Sequence, residues 1–208
     1  MITIYGGGRT RSLRVAWMAE EMGLDYEIRP VSLMETKSDP AFKALNPAGF
    51  LPVMQDGDVT MIESVAMMEY LAARYGPTPL VPSTDDPTWV RYKQFLHFGE
   101  SSVAALLNIA VGSKFAAPRE HRDNWGAALA VDLAMSRSCM LANQLKDSEF
   151  IAGDAFTAAD ISVAYPFLLA KFIGFQERVD PIIQDYVVSL RARPAFERAL
   201  ARSNEKAA

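Results

Sequence analysis

Strand-like patterns stop at one place in this sequence, and that place divides the chain. Gly76 to Pro87 reads Gly-Pro-Thr-Pro-Leu-Val-Pro-Ser-Thr-Asp-Asp-Pro. Each proline removes a backbone donor and fixes φ, so neither a helix nor a central strand crosses such a stretch. Before it, short apolar runs alternate with turn residues; after it, only helical periodicities remain. The predicted organisation is a strand-containing domain over residues 1–77, a linker over 78–87 and an all-α domain over 88–208.

Within the first domain, Ile2 to Tyr5 is a β-prone run stopped by Gly6-Gly7-Gly8. Val15, Met18, Ala19 and Met22 then recur at i, i+3, i+4 and i+7, and Gly23 ends that helix. Tyr26 to Val31 alternates as a strand does. A strand, a short helical crossover and a strand predict a parallel pair. Lys37 to Leu45 reads as a loop with one helical turn. Next, Leu51–Met54 and Val59–Ile62 flank Asp56-Gly57, a strong hairpin signal because the tight turn needs a positive φ that glycine supplies. Pro52 stands at the mouth of the first run, where a strand tolerates a residue without an N–H. Ser64 opens a helix whose face carries Val65, Met68, Ala72 and Tyr75. The predicted order is β-α-β-β-β-α.

The second domain predicts helices over Trp89–Val111, Arg119–Lys146, Thr157–Phe172 and Pro181–Arg191, and a short one from Pro194. In the first of these, Tyr92, Phe95, Gly99, Val103 and Leu106 form the buried stripe. Phe156-Thr157-Ala158-Ala159-Asp160 places Thr at a helix N-cap with Asp three residues on, a reciprocal cap whose role is folding.

Several function classes are excluded by composition. Of 208 residues, 50% are apolar and 22% charged, a soluble globular balance. The net charge of -4, with Lys and Arg scattered, gives no footprint for nucleic acid. No stretch approaches the roughly 18 consecutive apolar residues of a membrane helix. Met1 to Tyr5 is neither basic nor a signal-like apolar run, and with one cysteine the chain reads as cytoplasmic. Cys139, in an Ala/Met/Leu context, reads as a core or semi-buried thiol and excludes an internal disulfide or a cysteine zinc cluster. His97 and His121 fall on separate helices, so no metal is expected.

Two stretches carry chemistry. A dinucleotide fingerprint would need glycine at Arg11, and no phosphate loop exists, so Gly6-Gly7-Gly8 does not predict nucleotide binding. The helix that follows nevertheless starts among Arg9, Thr10, Arg11, Ser12 and Arg14. Free amides and the helix dipole there attract anions and lower the pKa of an acidic group held nearby. Glu63-Ser64 likewise sets a carboxylate and a hydroxyl at a helix start beside the hairpin, a place to receive a charged ligand.

Asn46-Pro47-x-Gly49-x-Leu51-Pro52-Val53, Ile62-Glu63-Ser64 and Phe156-Thr157-x-x-Asp160, on this order of elements, resemble the glutathione transferase superfamily along nearly the whole chain. The resemblance implies a thioredoxin-like α/β first domain, an all-α second domain and a homodimer. It implies a cis Pro52, with Leu51, Pro52 and Val53 binding glutathione and the Val53 backbone pairing with its cysteinyl part. Glu63 and Ser64 would hold the γ-glutamyl amine and carboxylate. Phe50 departs from the pattern, since many relatives carry Lys or Gln there. Without a Cys between Arg9 and Ser12 the disulfide-forming branches are disfavoured. Aligned without gaps to the serine branches, the catalytic hydroxyl falls on Arg9. Thr10 ranks first as its replacement and Ser12 second; Tyr5 remains a candidate, and Arg11 would stabilise the thiolate by charge. The implied activity is conjugation of the glutathione thiolate to a small, hydrophobic electrophile, in detoxification. A glutathione-dependent lyase, isomerase or dehalogenase, or a binding module without chemistry, fits the same resemblance.

Overall fold

The computed structural model describes residues 1–7, 10–33, 36–122 and 124–204. The chain forms two compact units, Met1–Thr78 with Arg191–Ala208, and Pro79–Leu190. In the first unit the elements are β1 (Ile2–Gly6), α1 (Ser12–Glu21), β2 (Tyr26–Pro30), α2 (Pro40–Leu45), β3 (Val53–Asp56), β4 (Val59–Met61) and α3 (Ser64–Tyr75). The sheet order is β2-β1-β3-β4. β1 runs parallel to β2, with Ile4 opposite Ile28, and antiparallel to β3, with Tyr5 opposite Val53. This is the thioredoxin-like order predicted from the sequence, and α2 occupies the expected helical turn.

The hairpin turn sits one residue later than predicted. Asp56 is the last residue of β3 and pairs with Val59, leaving Gly57-Asp58 as the loop. Gly57 has φ 58, and Asp58 is not among the residues of positive φ. Glycine at the first central position is the type II′ requirement, so Asp56 is released from the turn. Its carboxylate instead accepts from Tyr75 Oη at 2.6 Å and Tyr70 Oη at 2.9 Å, tying the hairpin to α3. The Tyr75 bond pulls the Asp56 carboxyl below its usual range, and Tyr75 is pushed up to about 12.

α1 is buried on every face from Ser12 to Ala19, where the sequence marks a single stripe. The reason lies far along the chain. α9 (Pro194–Asn204) packs on α1 within the first unit, and Phe196 meets Trp17 edge-on at 4.9 Å. Glu21 holds Arg193 at 2.7 Å, and Glu20 holds Arg198 at 2.6 Å.

The second unit is helical, with α4 (Trp89–Phe98), α5 (Ala105–Val111), α6 (Trp125–Gln144), α7 (Ala158–Ile173) and α8 (Pro181–Arg191). α4 and α5 join through a π-helical segment, Gly99–Ala104, and a second one follows at Gly112–Ala116. A π turn inserts one residue into the helical register. Leu107 is therefore buried where the 3.6-residue period predicts Leu106. Gly99 allows α7 to approach, since a Cβ there would lie 2.6 Å from the Ser162 carbonyl oxygen. Ser162 Oγ donates to the Leu96 carbonyl at 2.6 Å across the same contact. By length and composition alone Trp89–Ala116 is apolar enough to cross a bilayer, which the sequence reading did not anticipate. Its Leu96, Val103 and Leu107 are nevertheless fully buried inside the bundle.

The cap at Thr157 and Asp160 forms as expected and reaches further. Asp160 is completely buried and accepts from the Thr157 amide at 2.6 Å, the Thr157 hydroxyl at 2.9 Å, the Ile151 amide at 2.8 Å and the Tyr186 hydroxyl. The expected burial of Cys139 fails: it is exposed on α6, as is Trp125 at 78%, whereas Trp17 is a core residue.

Candidate functional site

The first unit brings two helix starts and the head of one strand together. α3 begins abruptly after β4, and Glu63 takes the bend with φ 71 and ψ 100. Among the described residues it alone, glycines aside, has a positive φ. Such a conformation costs about 1–3 kcal/mol and persists at sites where geometry serves function. The Glu63 side chain is exposed and makes no capping bond, so the first amides of α3 lack an intrahelical acceptor at its positive dipole end. Ser64, the first helical residue, is buried beneath them.

Arg14, one turn into α1 and 1% exposed, donates from Nη1 to Ser64 Oγ at 3.3 Å. A guanidinium has donors only, so the Ser64 oxygen accepts and its own proton is left for another group. The sequence reading counts Arg14 among anion-attracting residues but does not pair it with Ser64. The available signal was an arginine inside the apolar run Leu13-Arg14-Val15-Ala16-Trp17.

The Asn46 motif is explained by its own hydrogen bonds. Asn46 Nδ2 donates to the Phe50 carbonyl at 2.8 Å, and its Oδ1 accepts from Ala48 N at 3.1 Å. Gly49, at φ 67, sits where a Cβ would lie 3.2 Å from the Thr36 carbonyl oxygen. The loop thus delivers Leu51 and a cis Leu51-Pro52 bond to the head of β3. Asp56 and Val59 flank a two-residue loop and exchange both backbone bonds, so alternation along β3 turns the amide and carbonyl of Val53 toward Tyr5 of β1. Leu51 lies beyond the last paired residue and makes no hydrogen bond to another described residue.

Thr10 and Ser12 close on Gly7. Their hydroxyl oxygens are 2.7 Å apart, and the Gly7 carbonyl lies 2.8 Å from Thr10 Oγ1 and 3.0 Å from Ser12 Oγ. The Gly7 amide donates to Ser12 Oγ at 3.0 Å. Ser12 is 0% exposed, and Thr10 is the outer of the two. Arg11 is the N-cap of α1, partly exposed, with no side-chain cap bond. The Tyr5 hydroxyl is engaged elsewhere, donating to Gln55 Oε1 at 2.6 Å. Gly8 and Arg9 lie outside the described residues. Among the described residues no group of three or more His, Cys, Asp or Glu is placed to hold a metal ion.

Comparison with known proteins places relatives beside this geometry. Residues 10–74 match the family described as glutathione S-transferase, N-terminal domain. The chain is 30% identical over 208 residues to glutathione S-transferase 3 of Zea mays, covering 91% of this chain and 88% of the relative. It is 28% identical over 207 residues to glutathione S-transferase 3 of Schizosaccharomyces pombe, covering 94% and 85%. Among solved structures it is similar to the theta class glutathione S-transferase of Xanthomonas axonopodis pv. citri with glutathione bound. The TM-score is 0.79 at 26% identity, with 96% of each chain covered.

Proposed function

Because this chain belongs to the glutathione S-transferase family, we propose that its first unit binds glutathione and transfers the thiolate to a small, hydrophobic electrophile. The observation that carries the reading is the Arg14–Ser64 contact at 3.3 Å, which gives the start of α1 and the start of α3 a shared basic anchor. Ser64 and the first amides of α3 take the γ-glutamyl carboxylate, and Glu63 takes the ammonium. Leu51 supplies the backbone pairing for the cysteinyl residue, because the Val53 amide and carbonyl are turned to β1 while those of Leu51 are left over. Pro52 and Val53 fix that strand end. The Xanthomonas relative, solved with glutathione bound, supports this ligand.

Thr10 is the residue that faces the sulfur. Ser12 is sealed inside the loop, and Tyr5 is committed to the sheet. A hydrogen bond donated by Thr10 favours the thiolate over the thiol, and Arg11 and the helix start act in the same direction. The thiol proton leaves to solvent. The sulfur then bonds to the electrophilic carbon while a leaving group departs with its electron pair, or a conjugated double bond accepts that pair. Thr10 and Leu51 supply the alignment that makes this step effectively unimolecular.

Calorimetric titration of the wild-type protein with glutathione tests the binding, with a dissociation constant in the micromolar range expected. An affinity no better than millimolar would overturn it. Product analysis with a generic electrophile separates conjugation, which consumes glutathione, from isomerisation, which regenerates it. A cytoplasmic homodimer completes the reading, supported by apolar side chains left exposed along α6 at Trp125, Leu129, Leu133 and Met140. Sedimentation should give twice the chain mass at micromolar concentration, and a monomer there would contradict the dimer.

A further inference from the structure

We propose that Ser12 is a positioning residue that directs the hydroxyl proton of Thr10 toward the bound sulfur, an inference that rests on the glutathione reading above. It follows from counting protons. Each hydroxyl carries one proton. Oxygens 2.7 Å apart, as in Thr10 and Ser12, need a proton between them. That contact takes one of the two protons, and the other goes to the Gly7 carbonyl, within 3.0 Å of both hydroxyls.

Two arrangements satisfy this count. In one, Ser12 donates to the Gly7 carbonyl and Thr10 donates inward to Ser12. In the other, Thr10 donates to the Gly7 carbonyl and Ser12 donates to Thr10. The second is poised for ligand. Thr10 need only rotate its O–H from the carbonyl to a sulfur. The Gly7 carbonyl keeps its bond from the Thr10 amide at 2.9 Å, so no acceptor is orphaned. The Ser12 proton stays on Thr10 Oγ1 and polarises it, which strengthens the outgoing bond.

Ser12 acts only through Thr10. It is 0% exposed, its oxygen takes the Gly7 amide at 3.0 Å, and a Cβ on Gly6 would lie 2.6 Å from Ser12 Oγ. The backbone fits against this hydroxyl too closely for a ligand atom to enter. A serine that merely tied down the loop before α1 would make the same bond to the Gly7 amide, yet it would have no influence on a bound thiol.

The ionisation of bound glutathione separates these roles. Its thiolate absorbance in the ultraviolet, followed against pH, gives the thiol pKa in wild type, Ser12→Ala, Thr10→Ala and the double variant. Losing one net hydrogen bond of about 1 kcal/mol corresponds to a rise of about 0.7 unit. Ser12→Ala removes only the polarisation of Thr10, so it should raise the thiol pKa by roughly a few tenths of a unit, with glutathione affinity below the thiol pKa changed by less than about twofold. Thr10→Ala, which loses the direct donor, should raise it by about 1–2 units. The double variant should match Thr10→Ala alone, because Ser12 has no route to the sulfur without Thr10. Additive shifts in the double variant, or an unshifted Ser12→Ala, would overturn the proposal. A wild type that binds no glutathione would overturn the reading beneath it, and the proposal with it.

Discussion

Asp160→Ala is expected to destabilise the second unit by about 3–5 kcal/mol, a large fraction of the roughly 5–15 kcal/mol by which a domain is stable. Four donors end on this one buried carboxylate: the Thr157 amide and hydroxyl, the Ile151 amide and the Tyr186 hydroxyl. Truncation leaves them buried without an acceptor, at about 1–3 kcal/mol for each donor that finds no other partner, while loss of the carboxylate also removes the penalty of burying its charge, so the net falls below the sum of four. The lost cap at the start of α7 adds about 1 kcal/mol. Burial pushes the Asp160 carboxyl up, and the Tyr186 hydroxyl is its largest opposing pull, ahead of the two amides. Asp160→Asn keeps one acceptor oxygen but turns an NH2 toward a donor, so it should fall between wild type and Asp160→Ala. Tyr186→Phe removes a single donor and leaves three, and should cost about 1 kcal/mol. Denaturant unfolding measures the order. A loss under about 1 kcal/mol for Asp160→Ala would show that the four bonds are not jointly holding the bundle.

The same residue shows which parts of the fold were legible in sequence. A cap is local, with both partners within four residues, so Thr157 and Asp160 announced themselves. Tyr186, 26 positions away, did not. The hairpin was legible for a similar reason, but its turn fell one residue late. Asp56-Gly57 and Gly57-Asp58 both satisfy the demand for glycine, and only the pairing of Asp56 with Val59 chooses between them. Helical periodicity placed α1 yet understated its burial, because the covering helix arrives from α9. It also mistook Leu106 for Leu107, since nothing in the local pattern marks a π turn before it forms.

The candidate site was legible as residues and illegible as roles. Glu63, Ser64 and the Thr10 to Ser12 stretch stand out by their place at helix starts. Their division of labour depends on contacts that no spacing encodes. Arg14 meets Ser64 across 50 positions. Ser12 and Thr10 are nearly adjacent, and no spacing tells that Ser12 is 0% exposed while Thr10 is the outer of the two. Val53 is the backbone clamp that its motif implies, whereas the register of β3 turns its amide and carbonyl toward β1 and leaves those of Leu51 beyond the paired residues. Each revision concerns direction: which way an amide, a proton or a guanidinium points.

Glu63 carries the second large effect, because here binding and stability are expected to move in opposite directions. Its backbone sits at φ 71, a strain of about 1–3 kcal/mol for a residue with a Cβ. Glycine adopts a positive φ without that penalty and serves as an acceptable N-cap. Glu63→Gly should therefore stabilise the first unit by about 1 kcal/mol, less the backbone freedom that glycine adds to the unfolded chain. The same change deletes the carboxylate proposed to pair with the ligand ammonium, a charge-assisted bond of about 1.5–3 kcal/mol, so glutathione affinity should fall roughly 10- to 150-fold. Glu63→Ala deletes the same carboxylate but keeps the Cβ, so it should lose affinity to the same extent without gaining stability. Calorimetry with glutathione and thermal unfolding of the free protein, run on both variants, read the two effects separately. Equal affinity losses with a higher unfolding temperature in Glu63→Gly alone would establish that the strain at the start of α3 is retained for the ligand. An unchanged affinity in both variants would remove Glu63 from the site, and a lowered unfolding temperature in Glu63→Gly would mean that the bend is held by something other than its side chain's tolerance.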